Sequence, residues 1–283
     1  MRGPTLRSRA LAVAIALLLV SACSSSRAAV EPTPPPTESS TTTTTAPAPS
    51  YRTQTATAQV PELEVFADWP GDPSAAPPPP PPPAAEPAGV RPIPRPGFNS
   101  AGARKTASGW AFTNPTFYGN PLTMVVTENR GDWLRVMIPA RPNGQQGWVR
   151  ASDVTLGEHQ FHGTLTLSDF TLKVWNGEEL IAQTQVVIGR DTSPTPVGRV
   201  YIAEKIPQRN AGGAYGPWIL ATNAYSERLD LFDGGLPVIA FHGTNQPQLI
   251  GSKASNGCVR VPNDVIDLLA QVLPPGTPID ITA

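Results

Sequence analysis

Cys258 and His242 are the residues of this chain best suited to covalent chemistry, and sixteen positions separate them. A thiol attacks as its thiolate, so at neutral pH it needs a base beside it. An imidazole is such a base when a third group orients its other ring nitrogen. His242 ends the apolar run Val238-Ile239-Ala240-Phe241 and is followed by Gly243-Thr244-Asn245. Cys258 lies in Ser255-Asn256-Gly257-Cys258-Val259-Arg260. Small neighbours let a substrate carbonyl come close, and the consecutive N–H groups of Gly257 and Cys258 can hold an oxyanion. The loop between the two residues carries Gly, Ser, Gln and Lys and is long enough to fold back on itself. His159 and His162 have no cysteine or carboxylate cluster around them, so they read as structural, and no metal or organic cofactor is implied.

The second cysteine, Cys23, has a different character. Arg2, Arg7 and Arg9 precede an apolar run from Ala10 to Val20, then Ser21-Ala22-Cys23. The run is too short for a spanning helix and fits the core of a secretory signal. Small residues before a cysteine resemble the lipobox of bacterial lipoproteins, where lipid joins the thiol and residues 1–22 are removed. That resemblance implies an exported chain held by Cys23 on the outer face of the cytoplasmic membrane and reaching into the wall or periplasm. A lone free thiol is at risk of oxidation outside the cell, so Cys258 reads as functional rather than as an incidental or buried structural cysteine.

Composition divides the chain. Of its 35 prolines 21 fall in the first 100 residues, whereas 15 of its 19 aromatics follow. Residues 23–100 include the Ser/Thr tract 39–45 and seven consecutive prolines at 77–83, and they read as a solvated tether. One island within it, residues 61–69, alternates apolar and polar positions as a docked strand would. The net charge of −1 offers no attraction for nucleic acid.

The elements that must position the site are mostly strands. Residues 101–157 hold short β-runs around Trp110, Leu122–Val126, Trp133–Ile138 and Trp148, separated by turn residues. The pattern Gly131-Asp132-Trp133-Leu134, then Gly147-Trp148-Val149, resembles bacterial SH3-like domains, which implies a small β-barrel with Trp133 and Trp148 in its core or in a ligand groove. Residues 158–283 continue with strands near 164–167 and 171–175, a hairpin turn at Asn176-Gly177 and a return over 180–188. A helix follows Pro262, with Asn263 as its N-cap and Val265, Ile266, Leu268, Leu269 and Val272 at helical spacing. Ile279-Asp280-Ile281 closes with a strand. The expected fold class is mainly β, with one or two short helices.

From Phe161 onward the chain resembles the catalytic domain of L,D-transpeptidases, the YkuD domain. The matching elements are Thr195-Pro196-Val197-Gly198, Phe241-His242-Gly243-Thr244 and Ser255-Asn256-Gly257-Cys258-Val259-Arg260-Val261-Pro262-Asn263. The resemblance implies Cys258 as nucleophile, His242 as base oriented by the Gly243 carbonyl, and peptidoglycan stem peptides as substrate. It implies 3→3 cross-links made through a thioester, and acylation of Cys258 by carbapenem-type β-lactams. Ser255, Asn256 and Gly257 would shape the oxyanion site. Arg260 would either hold a substrate carboxylate or brace the cysteine loop. Tyr215 and Trp218, either side of Gly216-Pro217, would line a substrate lid or pack in the core, and Asn263 is a further substrate-binding candidate. The family has a second histidine where this chain has Asn256, which implies retained activity with an altered pH profile. Two readings stand beside transpeptidation: an L,D-carboxypeptidase, with water as acceptor, and a non-catalytic wall-binding lipoprotein.

Overall fold

The computed structural model describes residues 51–71 and 103–283. The signal segment, Cys23 and the proline run lie outside the described residues. The described chain is mainly β, with one α-helix.

The first eight strands form one sheet. They are β1 (Thr53–Ala58), β2 (Glu62–Phe66), β3 (Ala103–Lys105), β4 (Gly109–Thr113), β5 (Thr123–Asn129), β6 (Trp133–Met137), β7 (Gln146–Arg150) and β8 (Val154–His159). Their order is β3-β4-β2-β7-β6-β5-β1-β8. Leu63, Val65, Phe112, Leu134, Val136 and Val149 have no exposed surface and form the heart of this unit's core. Trp133 and Trp148 are also buried, but with Phe66 in a separate cluster, beneath the guanidinium groups of Arg150 and Arg130.

Two of these strands correct the reading of residues 23–100 as tether throughout. β2 is the alternating island, and it pairs antiparallel with β4 from Glu62↔Thr113 to Phe66↔Gly109. β1 gave no signal because its sequence is Thr-Gln-Thr-Ala-Thr-Ala, as polar and as Thr-rich as the tract before it. It is nevertheless held on both edges, by β5 and by β8. Backbone pairing on two sides satisfies its polar groups, and small Thr and Ala side chains suffice to fill the space beneath.

The second unit contains β9 (Phe161–Thr166), β10 (Thr171–Asn176), β11 (Glu179–Gln185), β12 (Ile188–Gly189), β13 (Gly198–Pro207), β14 (Trp218–Tyr225), β15 (Val238–His242), β16 (Lys253–Ser255), β17 (Val259–Arg260), α1 (Asn263–Val272) and β18 (Pro278–Thr282). Its main sheet runs β11-β10-β9-β18-β13-β14-β15-β17, and β12 pairs with β16 alone. The hairpin forms where expected, shifted by one position: Asn176 pairs with Glu179, so Gly177 and Glu178 make the turn, with Gly177 at φ 59°. Ile266, Leu269 and Ala270 bury one face of α1 against the sheet, each large side chain contributing about 1.5–3 kcal/mol.

The two β-units share an interface. Glu204 on β13, 2% exposed, accepts hydrogen bonds from Thr116 Oγ1 (3.1 Å) and Asn120 Nδ2 (3.2 Å) of the β4–β5 loop. The buried Tyr201 donates its hydroxyl to the Met137 carbonyl at 3.3 Å. His162 stacks between Tyr51 (4.7 Å) and Trp175 (5.3 Å).

Candidate active site

Strand register brings His242 and Cys258 onto one face. β15 and β17 are parallel neighbours, with Phe241 opposite Val259 and His242 opposite Arg260. Alternation along each strand then points Val238, Ala240 and His242 to the same side as Cys258 and Arg260. Core membership separates the same two faces: Ile239, Phe241, Val259 and Val261 belong to the main core beneath α1. Val238, Ala240 and the half-buried Cys258 belong to a smaller cluster on the other side. That side opens into a cleft of about 180 Å³ whose walls include Tyr215, His242, Asn256, Cys258, Arg260 and Phe232.

The imidazole is fixed in one tautomer. His242 Nδ1 lies 2.6 Å from the Gly243 carbonyl, which can only accept, so Nδ1 carries the proton and Nε2 is left as the acceptor. Burial, reinforced by the charge of Arg260, brings the pKa of His242 down to about 4 against the pull of the Gly243 carbonyl. Burial pushes the Cys258 thiol up; the Ala240 backbone N–H and the Arg260 guanidinium oppose it. Both groups are therefore neutral at rest, a thiol facing a base that is ready to accept. Tyr215 packs edge-on against the imidazole at 4.9 Å.

The cysteine turn is strapped from two sides. Ser255 Oγ donates to the Cys258 carbonyl (2.5 Å) and accepts from the Gly257 N–H (3.0 Å). Thr195 Oγ1 donates to the Gly257 carbonyl (2.8 Å), and Ser193 Oγ to the Asn256 carbonyl (2.8 Å). Arg190 donates to Asn256 Oδ1. A guanidinium only donates, so it turns the amide oxygen toward itself and leaves Nδ2 on the other side. The expectation that Gly257 N–H serves an oxyanion needs correcting, because Ser255 already occupies it. Among the described residues, Cys258 N–H has no such partner.

The remaining candidates separate. Arg260 lines the cleft and is braced by Gln246 Oε1 at 2.9 Å. Trp218 lies outside the cleft lining, gives its indole N–H to Asp267 (2.9 Å) and packs on the main core. Asn263 neither caps α1 nor faces the cleft: its Oδ1 accepts from Thr244 N–H at 2.7 Å, and the helix cap Pro262 has no side-chain bond. Asn263 instead wedges between Gly216 and Gly243, where a Cβ on either glycine would meet its Oδ1 at 2.4 and 2.3 Å. Gly216 also has φ +62° and would press a Cβ to 2.5 Å from the Gly243 Cα. Gly216→Ala is thus expected to displace Gly243, whose carbonyl orients His242. A fall of about tenfold in Cys258 acylation, with about 1–3 kcal/mol lost from stability, is expected from a stopped-flow trace and a urea melt.

Ser193, Arg190 and Thr195 join the site beyond the residues expected from the sequence, although Thr195 heads Thr195-Pro196-Val197-Gly198. Nothing in the sequence marks Ser193 or Arg190, because their role depends on where the 189–195 loop lands. Among the described residues no group of three or more His, Cys, Asp or Glu side chains is placed to hold a metal ion.

Residues 160–281 match the family model described as the L,D-transpeptidase catalytic domain, YkuD. A putative L,D-transpeptidase YkuD of Bacillus licheniformis is 29% identical over 118 residues, 42% of this chain and 63% of the relative. Its namesake in Bacillus subtilis strain 168 is 28% identical over 121 residues, 43% of this chain and 65% of the relative. The chain thus spans less than two thirds of the length of either. Among solved structures, an L,D-transpeptidase from Mycobacterium smegmatis overlaps 56% of this chain and 80% of its own at 14% identity and a TM-score of 0.36. L,D-transpeptidase 3 from Mycobacterium tuberculosis, in complex with a faropenem-derived adduct, overlaps 65% and 78% at 10% identity and a TM-score of 0.38.

Proposed function

We propose, from the premise that residues 160–281 are a catalytic domain of the L,D-transpeptidase family, that the chain forms 3→3 peptidoglycan cross-links through a thioester on Cys258. The observation that carries this reading is the shared face of β15 and β17, which presents an oriented, unprotonated imidazole nitrogen and the only cysteine among the described residues to one cleft.

In the first half-reaction Cys258 Sγ bonds to the carbonyl carbon of the third residue of a tetrapeptide stem while its proton passes to His242 Nε2. The Cys258 N–H and Asn256 Nδ2 hold the oxyanion. The bond to the terminal D-alanine breaks, its nitrogen takes the proton from His242, and the thioester remains. In the second half-reaction an amine of a neighbouring stem gives a proton to His242 and bonds to the thioester carbon. The sulfur leaves and is reprotonated. Carbapenem-type β-lactams enter the same first step, and ring opening leaves them on Cys258. Cys23, in this reading, carries the lipid that keeps the chain on the outer face of the cytoplasmic membrane.

The test is mass spectrometry of muropeptides after the full chain is incubated with disaccharide-tetrapeptide. The full chain is needed because a start at residue 100 removes β1 and β2. Cross-linked dimers support transpeptidation. Tripeptide without dimers turns the reading to carboxypeptidase, and no turnover turns it to wall binding.

Asn256 carries a further prediction. An imidazole placed at 256 would titrate below its ordinary value of about 6.5, lowered by the adjacent Arg190. Asn256→His is therefore expected to add an acid limb between about pH 5 and 6.5 to the rate of acylation by a carbapenem. The unsubstituted chain lacks this limb, and coincident profiles would refute the role assigned to Asn256.

A further inference from the structure

The cleft wall formed by residues 226–237 is held from the first β-unit. This segment joins β14 to β15 and contributes Leu229 and Phe232 to the cleft. Its own ties are few: Ser226 N–H to the Pro237 carbonyl (2.8 Å), a bridge between Phe232 and Gly235, and the N–H groups of Arg228 and Leu229 to Ser226 Oγ. Leu231, 57% exposed, points away from any core.

The β6–β7 loop of the first unit reaches this segment. Arg141 Nη2 donates to the carbonyls of Ser226 (2.8 Å) and Leu229 (2.5 Å), three residues apart. Asn143 exchanges two bonds with the backbone of Tyr225, each 2.8 Å, as an added strand would. Tyr225 donates its hydroxyl to the Pro139 carbonyl at 2.9 Å. Leu229 faces the catalytic cleft on one side and, on the other, a groove lined by Arg141 and Asn143.

We propose that Arg141 and Asn143 are positioning residues that clamp the 226–237 wall over the acyl site, so that the first β-unit sets substrate affinity in a cleft it does not itself line. This rests on the catalytic reading of that cleft. A guanidinium suits the task because it is permanently charged and its Nη2 offers two hydrogens, one for each carbonyl. Those carbonyls belong to a loop, where no strand partner is available to satisfy them. Releasing them frees Leu229 and Phe232, which shape the cleft, while leaving the tautomer of His242 and the straps on Cys258 untouched.

The experiment compares the full chain with Arg141→Ala, Arg141→Lys and Asn143→Ala. Amide hydrogen exchange over residues 226–237 is expected to quicken by about tenfold or more in the alanine variants, and that around Cys258 to stay unchanged. For turnover of the tetrapeptide, KM is expected to rise by about tenfold with kcat within about twofold, and Arg141→Lys to lie between. Alkylation of Cys258 by iodoacetamide, too small to need the wall, should keep its rate. Exchange equal to that of the unsubstituted chain, or a fall in kcat at constant KM, overturns the clamp. Should Arg141→Ala unfold, Asn143→Ala and Arg141→Lys decide. Should the unsubstituted chain fail to turn over, the catalytic reading fails while the exchange measurement still judges the clamp.

Discussion

If the proposed reaction holds, Cys258→Ala is expected to remove turnover of the tetrapeptide and to leave a folded protein. In the proposed mechanism the thiol carries the acyl group, so the reaction loses its intermediate rather than a fraction of its rate. A fall of roughly 10⁴-fold or more in turnover is expected. Intact-mass spectra after exposure to a carbapenem should show the adduct on the unsubstituted chain alone. The substitution removes one sulfur from a half-buried position beside Val238 and Ala240 and leaves the Ser255, Thr195 and Ser193 straps in place. A melt close to that of the unsubstituted chain is therefore the matching control. An adduct on Cys258→Ala would place the nucleophile elsewhere.

His242→Gln has the second largest expected effect, and it reads out in two ways. Removing the base should slow acylation by about 10²–10⁴-fold. Its folded pKa of about 4 sets the sign of the pH dependence. Above about pH 6.5 the ring is neutral both folded and unfolded, so it adds no pH dependence. As pH falls below that value the unfolded chain takes up the proton first, and stability drops until pH reaches about 4, by a few kcal/mol in all. His242→Gln should be spared this acid loss, which urea melts at about pH 4.5 and 7 would measure. In the unsubstituted chain the acylation rate should stay level down to about pH 5, since the base remains unprotonated there. An acid limb near pH 6.5 would contradict the buried, neutral imidazole.

Several parts of this arrangement were legible from residues alone. His242 at the end of an apolar run and Cys258 among small residues declared themselves by type, and apolar runs with the Asn176-Gly177 turn located β9, β10, β11 and β18. The helix showed because Ile266 and Leu269 recur at its period. Other parts were not legible. β1 is built of Thr and Ala, so its burial comes from neighbours on both sides and leaves no apolar signature. Asn263 looks like a helix cap by position, yet the Thr244 N–H claims its oxygen where the turn at Gly216 meets Gly243. Arg141 and Asn143 sit in an ordinary polar loop, and their partners lie 82 to 88 residues away.

By itself the sequence determined which groups could react: the Cys258 thiol, the His242 imidazole at the end of an apolar run, and the turn residues that let a carbonyl approach. These follow from side-chain chemistry and local periodicity, which the order of residues carries directly. The tertiary structure alone decided the burial of the pair, which amide of the cysteine turn Ser255 occupies, and which segment walls the cleft. Each of those depends on burial and on hydrogen bonds between segments distant in the chain. Desolvation and long-range pairing are properties of the packed whole, so no local pattern could have stated them.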